Sequence, residues 1–433
     1  MGSNGNHLDN GNQKNGRYPQ YYNLKSGAAK RGNVITVLDV GSAKTVALIC
    51  EATDEGLKYR GHGAAESRGS RKGIIVELDR AVQSIQKAVE EAEKLAALQV
   101  GNAVISVAGS HIKGVTSRGG VTLGSRPRDV AREDIRAAVE KARSVTLPED
   151  REVLHLLPQE FILDDQAGVR DPVGMMGRRL EVNLHMVTAS QSAAQNAVTA
   201  ANRAGLHVDN VVYEALMSAD STLRADEKEL GVCLADIGAG STDMIIYSDG
   251  MVAHSGVVPV GGDHFTNDVA VGMRTPLVSA EKIKKQFGHT ISSQVAEGNE
   301  IEVPAVGDRP SRLMPQRFLA EILEPRALEL CELMRDHLKQ AGVLELCPAG
   351  VVLTGGGSRM TGLAEVCQKV LDRPIRLAAP EAPIADMPEP LAETEFATVV
   401  GLALYAHRTT MAKMNPEQGF GQKLRALLAK LGA

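Results

Sequence analysis

Residues Val232 to Tyr247 read Val-Cys-Leu-Ala-Asp236-Ile-Gly238-Ala239-Gly240-Ser241-Thr242-Asp243-Met-Ile-Ile-Tyr. An apolar run ends in a carboxylate, the chain turns through two glycines backed by two hydroxyl residues, and a second β-rich run leads away. The pattern predicts a β-hairpin whose turn holds a phosphate. Glycine permits positive φ and close backbone approach, so successive N–H groups can point at one anion, and Asp236 stands where it can hold Mg²⁺ through water. Taken alone, the same pattern also describes an ordinary strand–turn–strand.

A second copy lies near the start of the chain. Val34 to Cys50 reads Val-Ile-Thr-Val-Leu-Asp39-Val-Gly41-Ser42-Ala43-Lys44-Thr45-Val-Ala-Leu-Ile-Cys: again a strand, an aspartate, glycine, small hydroxyl residues and a strand. Two such hairpins about two hundred residues apart predict two similar half-domains facing one nucleotide. A third stretch, Gly350-Val-Val-Leu353-Thr354-Gly355-Gly356-Gly357-Ser358, is a strand running into a glycine turn. Backbone free of side chains is what a flat purine or an α-phosphate needs beside it.

In this order the three stretches resemble the phosphate-1, phosphate-2 and adenosine motifs of the actin, DnaK-type chaperone and sugar-kinase superfamily. Within it the chain resembles the FtsA family of bacterial cell-division proteins. The phrases that carry this are Ser67-Arg-Gly69 with Lys72-Gly73, His155-Leu-Leu-Pro158-Gln159-Glu160-Phe, Asp171-Pro-Val-Gly174-Met and Leu319-Ala-Glu321-Ile-Leu-Glu324-Pro325-Arg326.

The resemblance implies an α/β, actin-like (RNase H-like) two-lobed fold with an inserted α+β subdomain and a C-terminal amphipathic helix. It implies ATP or ADP with Mg²⁺: Asp39 and Asp236 arrange the metal through water, while Gly41, Ser42, Ala43, Lys44, Thr45, Gly238, Ala239, Gly240, Ser241 and Thr242 clasp the phosphates. Gly355, Gly356, Gly357 and Ser358 face the adenosine, and Glu281, Lys282 and Lys285 are candidates for ribose and base. Glu214 falls on the turn where an acid or amide orients the attacking water in ATPase relatives; with Asp236 it forms the candidate catalytic pair. The same carboxylate also reads as a first-turn acid complementing a helix dipole.

The implied organisation is a disordered tail at 1–31, subdomain IA at 32–100, 187–225 and 393–406, the insertion IC at 101–186, IIA at 226–258 and 336–392, IIB at 259–335, a linker at 407–418 and the terminal helix at 419–433. Helices are expected near 81–98, 133–144, 191–204 and 326–340, with Pro325 interrupting the last pattern and Ser279 capping a helix that follows it. His155, Gln159 and Glu160 read as structural or interfacial. The basic glycine loop Ser67 to Gly73 reads as a phosphate contact or as a solvated connector.

The family's partners are the C-terminal tail of the tubulin-like protein FtsZ, further copies of the chain, later division proteins and an acidic phospholipid surface. The basic run Arg309, Arg312, Arg317 before an amphipathic helix suits an acidic peptide. Near the C-terminus, Phe420, Leu424, Leu427, Leu428 and Leu431 form one helical stripe, with Lys423, Arg425 and Lys430 off it. Twelve helical residues reach about 18 Å, too short to cross a core of about 30 Å, so the segment is expected at the membrane interface or docked on the protein itself. The expected location is the cytoplasmic face of the inner membrane at the division septum, with peripheral attachment.

Composition limits the other classes. At 433 residues the chain exceeds one core, and a net charge of −5 with no tryptophan argues against a nucleic-acid binder. Five cysteines without CxxC spacing read as reduced, mostly buried thiols, not a zinc site. A small-molecule kinase, a pilus-assembly scaffold and a shape-determining filament protein of the same superfamily remain as alternatives.

Overall fold

The computed structural model describes residues 34–307 and 309–414. The tail expected at 1–31 and the amphipathic helix expected at 419–433 fall outside the described residues.

The chain begins with an antiparallel meander, β1 (Val34–Val40), β2 (Lys44–Thr53) and β3 (Gly56–Glu66), followed by a small hairpin, β4 (Ser70–Arg71) and β5 (Ile74–Ile75). Helix α1 (Leu78–Ala96) turns Ala81, Ile85, Ala88 and Ala92 onto the sheet. It comes close because β3 carries Gly61 and Gly63; a Cβ at Gly63 would lie 2.1 Å from the Ala88 carbonyl oxygen. Strand β6 (Asn102–Val107) then adds parallel to β1.

An inserted module follows: β7 (Lys113–Thr122), β8 (Arg128–Asp129), α2 (Arg132–Arg143), β9 (Arg151–Leu163), β10 (Gln166–Val169), β11 (Met176–Gly177) and β12 (Arg179–Ser190). Its sheet runs β10-β9-β12-β7. A separate core holds Ile135, Ala138, Phe161 and Leu184. Pro158 sits within β9 because the register shifts there: Asn183 pairs with Glu160 and Leu184 with Pro158, so Gln159 is bulged out.

The chain returns through α3 (Gln191–Arg203), β13 (His207–Tyr213), α4 (Glu214–Thr222) and α5 (Ala225–Leu230). The second lobe comprises β14 (Val232–Ile237), β15 (Thr242–Ser248), β16 (Met251–Val258), α6 (Gly262–Gly272), α7 (Leu277–Phe287), β17 (Glu300–Val303), β18 (Arg312–Pro315), α8 (Gln316–Gln340), β19 (Val351–Thr354), α9 (Leu363–Leu371) and β20 (Ile375–Leu377). Strand β21 (Ile384–Ala385) and helix α10 (Ala397–Met414) go back to the first lobe.

The two main sheets run β13-β6-β1-β2-β3-β21 and β16-β15-β14-β19-β20. Each is built on an antiparallel three-strand meander, with two further strands added in parallel beside its first strand. The duplication read from two Asp-Gly hairpins is therefore a duplication of whole sheets.

Several expected boundaries move. Residues 102–107 belong to the first lobe's sheet, so the insertion starts after β6, not at 101. Residues 384–385 pair with β3, so the second lobe ends before 392. Helix α10 runs to Met414, into the expected 407–418 linker. Pro325 lies inside α8 without ending it, and α7 starts at Leu277 after Pro276, with Ser279 inside the helix and no cap of it. Cys331 and Cys367, expected as thiols, are joined as a disulfide between α8 and α9, with Cα atoms 5.2 Å apart; Cys50, Cys233 and Cys347 are free and buried. Among the described residues, no helix is long and apolar enough to cross a membrane.

Candidate functional site

Both hairpins turn in the same way. The amide of Gly41 donates to the Lys44 carbonyl at 3.1 Å, and that of Gly238 donates to the Ser241 carbonyl at 3.0 Å. Each turn thus follows directly on an aspartate at the end of a buried strand, and the two face one cavity of about 520 Å³. Asp39, Gly41, Ser42, Ala43 and Lys44 line it from one lobe and Asp236, Gly238, Ala239, Gly240 and Ser241 from the other. Glu214, Glu281, Lys285 and Gly355 to Gly357 complete the set of expected residues brought together there. The glycine turn after β19 packs directly on β14, where a Cβ at Gly355 (φ 81°) would lie 2.2 Å from Oδ1 of Asp236.

Four expected residues do not line the cavity. Thr45 and Thr242 neighbour lining residues in β-strands, where successive side chains point to opposite faces. Thr45 pairs with the Ser67 hydroxyl at 2.8 Å, and Thr242 donates to the Val260 carbonyl at 2.8 Å. Ser358 donates to the Gly355 carbonyl at 2.7 Å, closing the turn. Lys282 is exposed and points elsewhere; Lys284, one helical turn on from Glu281, takes the inward place. Lys284 donates to the Gly262 carbonyl at 2.9 Å and pairs with Glu281 at 2.6 Å.

The cavity is acidic beside the two hairpin turns. Asp39, Asp236 and Asp243 are all buried. Asp39 accepts from Ser106 Oγ at 2.7 Å, and Asp236 accepts from Ser218 Oγ at 2.5 Å and Thr398 Oγ1 at 3.3 Å. Burial pushes Asp236 up to about 7 and Asp243 to about 6, despite these hydrogen bonds. Glu214, the first residue of α4, is raised well above the ordinary carboxylate value, by burial first and then by Asp236, Asp39 and Asp243. Lys44 offsets little of this, because its ammonium pairs with Glu395 at 3.2 Å and lies over the Phe396 ring.

Such a set of desolvated acids suits a divalent cation, which stabilises the ionised carboxylates. Among the described residues no three metal-ligating side chains converge as direct ligands. Mg²⁺ keeps several of its waters, so Asp39, Asp236 and Asp243 would hold it through them. Asp243, Lys284, Glu395 and Thr398 were not singled out from the sequence. Alternation from Thr242 would have found Asp243; Thr398 arrives from α10 with no local signal.

Arg309, Arg312 and Arg317 lie on the surface of the second lobe, near the exposed Leu313. Arg312 donates to the Met273 carbonyl at 2.5 Å, and Arg317 pairs with Glu297 at 3.4 Å and Glu321 at 3.5 Å. Phe420, Lys423, Leu424, Arg425, Leu427, Leu428, Lys430 and Leu431 lie outside the described residues. His155 and Gln159 are interfacial: His155 accepts from the Tyr213 amide at 2.8 Å, and Gln159 donates to the Val252 and Ala253 carbonyls of the second lobe at 3.0 and 2.7 Å.

The family model for cell division protein FtsA matches residues 233–401, and that for the SHS2 domain inserted in FtsA matches residues 109–188. The cell division protein FtsA of Pseudomonas aeruginosa is 41% identical over 379 residues, which is 87% of this chain and 90% of that protein. The chain belongs to the FtsA family. The inserted-domain match begins at Gly109, after β6, in agreement with the topology of the FtsA insertion seen here. Solved structures similar in fold include the PilM–PilN type IV pilus biogenesis complex, with a TM-score of 0.62 at 17% identity over 86% of this chain and 98% of that one. MreB5 of Spiroplasma citri bound to ADP gives a TM-score of 0.51 at 14% identity, over 89% and 99%. The chain is thus a cell-division protein of this family with an actin-like fold.

Proposed function

We propose that the cleft binds ATP or ADP with Mg²⁺, and that the chain polymerises on the cytoplasmic face of the inner membrane at the division septum, tethers FtsZ filaments there and helps recruit later division proteins. The observation that carries the nucleotide reading is the facing pair of glycine turns, each preceded by a buried aspartate, with a side-chain-free glycine turn beside them. MreB5, which shares the fold, is described as bound to ADP.

In this reading the chain's own groups have distinct roles. Gly41 to Lys44 and Gly238 to Ser241 surround the phosphates, Gly355 to Gly357 lie against the adenosine, and Glu281, braced by Lys284 and Lys285, stands at the ribose end. Mg²⁺, when bound, neutralises phosphate charge and favours the ionised forms of Asp39, Asp236 and Asp243. Glu214 positions a water near Asp236 and is a poor base while protonated, which fits slow hydrolysis. Closure of the lobes on nucleotide biases contacts between copies.

Arg309, Arg312 and Arg317 offer an acidic peptide, the FtsZ tail, a basic surface beside apolar side chains. The stripe Phe420 to Leu431 supplies reversible membrane attachment, which many copies in a polymer make firm. Co-sedimentation with acidic liposomes and Mg·ATP tests this, comparing the full chain with one ending at Gln418, with and without FtsZ. Pelleting of the full chain alone, carrying FtsZ with it, is expected. If both chains stay in the supernatant, the tether reading is wrong.

A further inference from the structure

Outside the cleft, three histidines from three elements form a row where the insertion meets the second lobe. They are His185 of β12, His254 of β16 and His337 of α8, with ring centroids 6.0 Å apart for the first two and 5.3 Å for the last two. The His185 nitrogens are engaged, Nε2 with Ser255 Oγ at 2.8 Å and Nδ1 with Thr116 Oγ1 at 3.1 Å. The other two rings are held by each other. Nε2 of His254 faces Nε2 of His337 at 3.2 Å, and among the described residues no other hydrogen bond or ion pair holds either ring.

The local sequence builds this meeting. His254 and Gly256 are two apart on β16, the edge strand of its sheet, so they share one face. His337 follows the buried Leu330 and Met334 of α8 by seven and three residues, which turns it toward the same sheet. Its ring comes down on Gly256, where a Cβ would lie 1.9 Å from Nε2 of His337. Any other residue at 256 would push the imidazole off its partner. Both histidines are only half-buried, so the pair is reachable from solvent.

Two facing Nε2 atoms form a hydrogen bond when one ring donates and the other accepts. The same two lone pairs also fit one metal ion. With metal–nitrogen bonds of about 2.0–2.1 Å, the 3.2 Å separation subtends about 100–106° at the ion, close to the tetrahedral angle. Imidazole nitrogen suits zinc, whereas Mg²⁺ and Ca²⁺ take oxygen. Binding requires only that both rings carry their proton on Nδ1. Among the described residues no third histidine, cysteine, aspartate or glutamate joins the pair, so water completes the coordination.

We propose that His254 and His337 form a zinc site that ties β16 to α8. The tie lies beside the contacts that dock the insertion on β16, from Gln159 to the Val252 and Ala253 carbonyls and from His185 to Ser255. The site stands apart from the nucleotide cleft, and its test needs no nucleotide.

The test is titration of the untagged full chain, first stripped of metal by a chelator, with zinc chloride. Bound zinc is read by equilibrium dialysis and the thermal midpoint is followed in parallel, for the wild type, His254→Gln and His337→Gln. Zinc is expected to bind the wild type and raise its midpoint, and each glutamine variant to weaken zinc binding about tenfold or more and lose the rise. X-ray absorption of the zinc-loaded wild type needs no variant, and should show two imidazole nitrogens at about 2.0 Å. A wild type that binds no zinc, zinc binding unchanged in both variants, or a spectrum with sulfur ligands or fewer than two imidazoles overturns the site and leaves a hydrogen-bonded histidine pair.

Discussion

The backbone amide of Gly109 donates to Oδ1 of Asp243 across 3.2 Å. The donor stands at the root of the inserted module and the acceptor is a cleft carboxylate of the opposite lobe, so module and cleft share one hydrogen bond. Gly109 has φ 103°, and a Cβ on it would lie 2.5 Å from the Lys72 carbonyl oxygen. Gly109→Ala is expected to destabilise the chain by about 2 kcal/mol or more, because strain and contact add. Gly101→Ala, which meets open space, should be near neutral. Thermal midpoints of the two variants compare them, and equal midpoints would refute the packing described.

The buried carboxylates give the proposed nucleotide binding a pH dependence of defined sign. Before nucleotide binds, the folded cleft holds protons on Asp236 up to about 7 and on Asp243 up to about 6. Stability from these two groups is therefore present below the ordinary carboxylate value and is lost as pH rises through about 6 to 7. A cation competes with those protons, so affinity for Mg·ADP should rise from pH ~6 to pH ~8. Asp236→Asn should flatten that rise and weaken binding. Calorimetry at three pH values suffices, and affinity that falls with rising pH would contradict the assignment.

At the seam between the insertion and the second lobe the sign reverses. His185 Nε2 lies 2.8 Å from Ser255 Oγ and Nδ1 lies 3.1 Å from Thr116 Oγ1. Facing it are Thr116 on β7 and Ser255 and His254 on β16, with His337 of α8 behind His254 at 3.2 Å. Burial, then the charge of His254, pulls His185 down to about 4. Its contribution is present above the ordinary histidine value and is lost as pH falls toward about 4. Because the cleft carboxylates act oppositely over part of this range, the informative comparison is between variants. His185→Gln should show a shallower fall in thermal midpoint than the wild type between pH ~6.5 and pH ~4.5; parallel profiles would count against the seam.

Gly401 marks the crossing of α10 over α4. A Cβ there would fall 1.7 Å from the Met217 carbonyl oxygen, a backbone atom with nowhere to go. Gly401→Ala should cost more than about 3 kcal/mol, read as a large drop in thermal midpoint or loss of soluble protein. A midpoint near the wild-type value would mean that the helices do not cross there.

The architecture was legible because it is duplicated: Asp39-Val-Gly41 and Asp236-Ile-Gly238 each announce a strand ending at a turn, and the order of three glycine stretches placed both lobes. Helix positions followed from the 3.6-residue spacing, as in α1 and α2. What stayed hidden depends on tertiary pairing. Nothing local tells that β6 pairs with β1, that Ile384 returns to β3, or that Cys331 of α8 meets Cys367 of α9. In the cleft, motif matching named Thr45 and Thr242, while strand alternation turns both hydroxyls away and brings Asp243 in. A run of charges on α7 could not say whether Lys282 or Lys284 faces inward; burial of one helix face decides it.

The most direct test of a nucleotide between the two halves is an experimental structure of the full chain with Mg·ADP. The expected density has phosphates between Gly41–Lys44 and Gly238–Ser241, Mg²⁺ linked through water to Asp39 and Asp236, and the base against Gly355–Gly357. Saturating Mg·ADP that leaves this cleft empty, or lodges elsewhere, would contradict that reading of the molecule.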